Sequence, residues 1–131
     1  MGLTVVSASL LYPQPPEAPQ VITSGFVPTS GFSVNSFEAR KFNGVCSMAI
    51  DLAVLTAIIR GAGPPWNIAD TLAGTLPAGF RPTRTIAALY STGFADGEAD
   101  ITAAGNISLR TTNSYDIEVG DVVRMSAAWV L

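Results

Sequence analysis

Hydrophobic residues recur at every second position in several segments of the chain, and this period predicts β-strands. The longest such segment runs from residue 45 to residue 59, and one of its faces carries Cys46, Met48, Ile50, Leu52 and Val54. A helix over residues 50–59 is the competing interpretation, because Ala and Leu favour helices. The last segment, residues 122–131, alternates in the same way, with Val123, Met125, Ala127, Trp129 and Leu131 on one face.

Turn signals separate these segments at intervals of roughly eight to twelve residues. Asn43-Gly44 and Ala104-Gly105-Asn106 predict hairpin turns. Phe32 to Lys41 changes parity partway along, which predicts a β-bulge. Further strands are predicted over residues 66–74, 83–90, 99–103 and 107–111. The pattern of about seven or eight short strands predicts an all-β protein, a jelly-roll-like antiparallel β-sandwich.

The first 31 residues have a different composition from the rest. The sequence of residues 1–11 predicts a short strand or an apolar arm. Residues 12–31 contain five prolines together with Ser, Thr and Gly, which predicts an extended linker. We therefore predict an attachment segment over residues 1–31 and a β-sandwich head domain over residues 32–131. A tail that lies along the domain surface is the alternative interpretation of the first segment.

Composition indicates one folded domain with an unusually neutral surface. The 131 residues are 48% hydrophobic and only 13% charged, a balance that excludes intrinsic disorder. Residues 45–54 and 122–131 are apolar or small on both faces, although one face of a sandwich strand ordinarily meets solvent. A subunit interface would cover the second face, so the sequence predicts an oligomer.

The composition of the chain argues against several classes of function. The formal charge is -3 without any Lys/Arg cluster, which argues against nucleic-acid binding and adsorption to anionic membranes. No apolar stretch is long enough to cross a membrane. The absence of histidine removes the commonest general base and zinc ligand. The single cysteine, Cys46, is predicted to be a small buried hydrophobe.

Three motifs resemble parts of one known family. They are Asn67-Ile68-Ala69-Asp70-Thr71, Gly74 to Pro82 (GTLPAGFRP), and the Gly-containing hairpin from Ala99 to Leu109. Together they resemble the C-terminal head domains of tailed-bacteriophage fibre and baseplate receptor-binding proteins, over about residues 32–131. The resemblance implies a compact β-sandwich head, usually a homotrimer, that adheres to host-surface glycans or proteins. It transfers no fixed set of binding residues.

The chain departs from that family before residue 32. Such heads usually follow a long fibre shaft, whereas only about thirty residues of arm and linker precede this one. This leaves open a short spike, a capsid fibre or a capsid decoration protein.

Aromatic and cationic side chains near loops are the candidate ligand-binding residues. Trp66 and Tyr115 are the preferred platforms for a sugar ring, with Tyr90 less favoured and Trp129 expected in the core. Pro77 and Pro82 predict a stiff corner that exposes Phe80 and Arg81. The residues that flank Pro82, namely Arg81 and Arg84, could pair with a glycan carboxylate or a partner's acid. A salt bridge with Asp70, or a surface contact that contributes little, is the alternative.

Three carboxylates, Asp96, Glu98 and Asp100, occupy alternate positions. On a loop this spacing could hold Ca²⁺ through oxygen ligands. The alternative is a solvated strand whose like charges discourage unwanted pairing. The residues that would complete an EF-hand are missing, and we expect no cofactor.

The resemblance thus implies a bacteriophage structural protein on the outside of the virion, at the tail or capsid surface. Its head would bind a host-surface saccharide through shallow sites repeated in three subunits, so that weak contacts combine. Residues 1–31 would contact other virion proteins. The alternative is a capsid decoration or assembly protein with no ligand of its own. Catalysis is not predicted: glycoside hydrolysis needs two carboxylates, and no spacing singles out a pair.

Overall fold

The computed structural model of the chain describes residues 18–131, and this part consists of β-strands and loops without a helix. No membrane-spanning helix is therefore found within it. The all-β prediction is confirmed, while the prediction for residues 1–11 lies outside the described residues. The strands are β1 (Gln20–Ile22), β2 (Val27–Pro28), β3 (Phe32–Phe42), β4 (Val45–Val54), β5 (Thr71–Thr75), β6 (Ile86–Ser91), β7 (Asp96–Ile101), β8 (Asn106–Leu109) and β9 (Val122–Val130).

All nine strands belong to one antiparallel sheet in the order β1-β3-β4-β9-β6-β7-β8-β5-β2. The strands at the two edges, β1 and β2, are consecutive in sequence and only residues 23–26 separate them. The sheet must therefore curl until its edges meet. The structure differs here from the predicted linker over residues 12–31, because residues 20–22 pair with β3 and residues 27–28 pair with β5.

Phe26 lies in the link between β1 and β2. Its side chain fills the seam, which is the place where the two edges of the sheet meet. Its ring centroid is 5.7 Å from that of Phe37, and the ring covers the backbone of Gly74. Beyond the link, the Thr29 amide donates a hydrogen bond to the Ala73 carbonyl oxygen. This seam holds the curled sheet around one core.

Within the middle of the sheet, β9 and β6 are joined through only two residue pairs, Tyr90 with Met125 and Ser91 with Arg124. This junction separates β1-β3-β4-β9 from β6-β7-β8-β5-β2 and makes the fold sandwich-like. The sequence pattern could not reveal the junction, because it depends on pairing between strands that are distant in sequence.

The alternating hydrophobic residues form the core as predicted. On β4 the buried residues are Cys46, Met48, Ile50, Leu52 and Val54, and on β9 they are Val123, Met125 and Trp129. Burial raises the pKa of the Cys46 thiol, although nearby Lys41 opposes this shift, so the predicted role as a buried hydrophobe is confirmed. The predicted bulge lies between Val34 and Ser36, and the Asn43-Gly44 turn joins β3 to β4.

Strand register defines two ends of the domain. At the terminal end, Gln20 pairs with Lys41, and Val45 pairs with Val130 just before the last residue. β1 therefore begins there, beside the Asn43-Gly44 turn. At the loop end lie the connections over residues 55–70, 92–95 and 110–121. β4 alone separates the two ends by about 30 Å, at about 3.3 Å per residue.

The Leu76–Pro82 corner lies at the terminal end, between β5 and β6. The structure corrects the expectation that it exposes Phe80, which is buried. The Lys41 ammonium lies 5.1 Å from the centroid of the Phe80 ring and donates a hydrogen bond to the Gly79 carbonyl oxygen. Since Lys41 belongs to β3, this contact ties the corner to the sheet.

Candidate functional site

A cleft of about 660 Å³ opens between the connections at the loop end. This volume falls within the usual range for small-molecule sites. Its lining is mixed, with aromatic, cationic and acidic side chains: Arg60, Phe94, Ser114, Tyr115, Asp116, Glu118 and Asp121. Short loops on a rigid sheet are a common setting for binding residues.

Arg60 joins two of the walls. Its guanidinium lies 5.3 Å from the centre of the Trp66 ring, and its Nη1 donates a 2.8 Å hydrogen bond to the Ser114 carbonyl oxygen. Its Nε is 3.8 Å from Oδ1 of Asp116, and its backbone amide donates to the same oxygen. A cation held by three contacts in this way, together with its own backbone amide, positions the loops around it.

Three aromatic rings surround this cation with different exposure. Phe94 is 75% exposed, Tyr115 is 56% exposed and Trp66 is 37% exposed. One face of Trp66 is covered by Arg60, so Phe94 and Tyr115 offer the freer surfaces for stacking. Trp66 and Tyr115, chosen from the sequence, thus lie at the same end of the domain.

Sequence reasoning missed Phe94, although a signal was present. The residue lies in the tight connection between β6 and β7, where the Thr92 hydroxyl oxygen accepts a hydrogen bond from the Ala95 amide. A phenylalanine at the tip of so short a turn cannot reach the core. An aromatic residue in that position indicates either a ligand or a partner surface.

Hydrogen bonds from the sheet hold the long connection over residues 110–121. The buried Tyr90 hydroxyl donates to the Thr111 carbonyl oxygen, and the Glu98 amide donates to Oγ1 of Thr111. Burial raises the pKa of Tyr90, a hydrogen bond from Thr112 opposes the shift, and Asp96 adds to it. The hydroxyl therefore stays protonated at neutral pH and keeps its donor role.

Hydrogen bonds to the side chains of two asparagines, Asn67 and Asn113, complete the cleft walls. The Thr112 amide donates to Oδ1 of Asn67, in the segment that resembles the phage family. Asn113 accepts a hydrogen bond from the Asp96 amide and donates one to the Phe94 carbonyl oxygen. These bonds fix the Phe94 turn against the connection that carries Tyr115.

The other predicted ligand residues lie at the terminal end, away from the cleft. Nε of Arg81 donates to the Leu76 carbonyl oxygen, and its side chain packs over Gly105. Arg84 lines a separate hollow beside Trp129 and Leu131. The sequence placed all four candidates in or beside loops, but the order of strands divides them between the two ends.

The three carboxylates considered for calcium are arranged along β7 rather than on a loop. Asp100 pairs with Arg110 at 3.2 Å, and the Asp96 backbone is held by Asn113. In residues 18–131, no group of three or more potential metal-ligating side chains comes together.

The outer face of the central strands is smooth and poor in free charge. Its middle consists of the small residues Ser47, Ala49, Ala87, Ser126 and Ala128, which line adjoining shallow hollows. Its charged neighbours are two ion pairs, Glu38 with Arg40 and Asp51 with Arg124, and Glu98, which lines one of the hollows. Leu89 is 77% exposed beside this surface. The two-faced apolar pattern seen in the sequence thus corresponds to a real surface.

The cleft offers stacking surfaces, one oriented guanidinium and three carboxylates, which is a set suited to hydrogen bonding and to stacking on an organic ligand. No protein-family model and no curated protein matches the chain. Its function must therefore be inferred from the geometry of the cleft.

Proposed function

We propose that this chain is the head of a bacteriophage receptor-binding protein, exposed on the virion, which binds a host-surface saccharide in the loop-end cleft. The observation that carries the proposal is the position of the cleft relative to the start of the domain. The chain leads into β1 at one end, and the aromatic cleft opens at the other. Attachment through the residues before β1, within the predicted segment 1–31, would then leave the cleft directed away from the particle.

The lining of the cleft suits a sugar. The apolar CH face of a sugar ring stacks on an aromatic face, and Phe94 and Tyr115 provide exposed faces. Sugar hydroxyls donate to carboxylates, and Asp116 and Glu118 line the same cleft. A few placed polar groups among apolar surfaces is the usual composition of a ligand site.

In this proposal the head is a jelly-roll-like sandwich that assembles as a homotrimer. The outer face of β4, β9 and β6 supports the assembly, since its small residues would pack against another copy at little desolvation cost. Three clefts would then point in one direction. Weak single contacts combine when three sites engage one surface together.

Light scattering of the full-length chain tests the assembly. A homotrimer gives a mass of about 41 kDa, which is three times 13.6 kDa. Replacing Leu89, at the edge of the outer face, by lysine should shift the mass toward 13.6 kDa, because a buried unpaired charge opposes association. A monomeric mass for the unmodified protein would refute the trimer.

Binding to a glycan array and to a panel of bacterial cells tests the adhesion. We expect Tyr115→Ala and Phe94→Ala to weaken binding by at least about tenfold, because each removes a stacking face. Trp66→Ala should weaken it less, since that ring supports Arg60. Phe42→Ala is the matched control, because Phe42 is 37% exposed like Trp66 but lies at the terminal end.

Equal losses in the Phe42 and Tyr115 variants would contradict a binding site in the cleft. If the protein binds no glycan and no cell but binds virus particles stripped of it, then the capsid decoration or assembly role is correct. Both outcomes can be read with the full-length chain.

A further inference from the structure

We infer that the cleft selects uncharged saccharides, such as neutral hexoses and N-acetylhexosamines, and discriminates against anionic ones that carry carboxylate, sulfate or phosphate. The inference rests on the proposed function, and it specifies the ligand class of the same cleft. It follows from the charges that line the cleft and from the contacts that already engage its single cation.

The cleft is acidic. Its lining contains one cation, Arg60, and three carboxylates, Asp116, Glu118 and Asp121, so its formal charge is +1 - 3 = -2. The whole chain carries only -3, and the described residues place much of this excess at the loop end. An anionic sugar would approach against this potential, because like charges in a concave site repel more strongly than on a flat surface.

Arg60 offsets this repulsion only in part, because part of its charge already serves the loops. Nη1 donates to the Ser114 carbonyl oxygen, Nε faces Oδ1 of Asp116 at 3.8 Å, and the guanidinium lies 5.3 Å from the centre of the Trp66 ring. A ligand carboxylate that paired with Arg60 side-on, through Nε, would have to displace Asp116. The displaced carboxylate would then add its own repulsion, and the loops that Arg60 joins would separate.

The remaining carboxylates favour hydroxyl donors instead. The backbone amide of Glu118 donates to Oδ2 of Asp121, which closes a turn. The side chain of Glu118 is exposed and makes no hydrogen bond within the described part of the chain. A carboxylate accepts hydrogen bonds from hydroxyl groups and offers none in return. A neutral sugar between the Phe94 and Tyr115 rings would supply such donors.

Glu118→Gln tests the inference, because it removes one negative charge with little change in shape and keeps the backbone turn. The full-length protein is titrated by calorimetry with a neutral oligosaccharide and with the same oligosaccharide bearing a uronic acid. The unmodified protein should prefer the neutral form. Glu118→Gln should improve relative affinity for the acidic form by about twofold to fivefold, as expected for one partly screened charge. Glu38→Gln, the same change on β3, should leave the preference unchanged.

The outcomes distinguish failure of the charge selectivity from failure of saccharide binding itself. Binding of the acidic form as tight as or tighter than the neutral form, lost on Tyr115→Ala, would refute the charge selectivity and leave the cleft as the binding site. A preference that Glu118→Gln and Glu38→Gln alter equally would also refute it. Failure of both oligosaccharides, and of every glycan on the array, would refute saccharide binding itself.

Discussion

Replacing Gly97 by alanine is expected to lower the free energy of unfolding by about 3 kcal/mol and to abolish ligand binding at the loop end. A Cβ atom at this position would overlap the Thr111 carbonyl oxygen and would lie 2.6 Å from the Thr111 carbonyl carbon. Because these are backbone atoms, no rotation of a side chain relieves the overlap. The connection over residues 110–121 would have to move away from β7.

That displacement has a direct consequence for the cleft. Thr111 accepts hydrogen bonds from the Tyr90 hydroxyl and from the Glu98 amide, and each contributes about 1 kcal/mol. Four residues further along the chain, Tyr115 forms one wall of the cleft. Loss of the anchor would therefore loosen the wall, and ligand binding would fail together with stability.

Chemical denaturation of Gly97→Ala and of Gly63→Ala measures the effect. Nothing lies within 4 Å of a Cβ atom built at Gly63. The free energy of unfolding of Gly63→Ala should therefore lie within about 0.5 kcal/mol of that of the unmodified protein. An unchanged midpoint for Gly97→Ala would mean that the connection does not lie against β7 as described. If this variant is too unstable to purify, Tyr90→Phe, which removes only the hydroxyl, should cost about 1 kcal/mol.

Replacing Gly74 by alanine is expected to be the most damaging single change to the closure of the sheet, at about 3 kcal/mol or more. The added Cβ atom would lie 2.5 Å from two atoms of the Phe26 ring and 2.6 Å from the Val27 carbonyl oxygen. The Phe26 ring is itself confined by Phe37. The ring and β2 would have to leave the seam together.

If the seam opens, the backbone amides beside it should lose their protection from hydrogen exchange. Hydrogen–deuterium exchange of Gly74→Ala should accelerate at Thr29, whose amide donates to the Ala73 carbonyl oxygen, more than at the β4–β9 pairs. Gly31→Ala is the control, since its nearest neighbour, the Thr56 Cβ atom, is at an ordinary 3.7 Å. Uniform acceleration across the sheet would contradict a local seam.

The fold class and the core were predictable because they depend on local period. The residues that alternate along β4 and β9 are buried on one face, and Asn43-Gly44 makes the turn that the dipeptide favours. β1 and β2 were not predictable. They are short and lie among prolines, and their pairing is with β3 and β5, whose position beside them depends on the curl of the whole sheet.

The candidate site was predictable only in part, for a similar reason. Trp66 and Tyr115 lie in loops that the sequence could identify, but Arg81 and Arg84 lie in another loop at the opposite end. Which loops share an end depends on the strand order. Phe94 was overlooked because composition alone does not separate an exposed aromatic residue from a buried one.

The central claim is that a saccharide binds at the loop end, opposite the end where the chain enters the domain. Nuclear magnetic resonance of the labelled full-length protein, titrated with the saccharide that binds most strongly on the array, tests it directly. We predict that the largest shifts occur at the amides of Arg60, Phe94 and Tyr115, which line the cleft. Shifts confined to Arg84 and its neighbours at the terminal end, or to the outer face around Ala128, would contradict it.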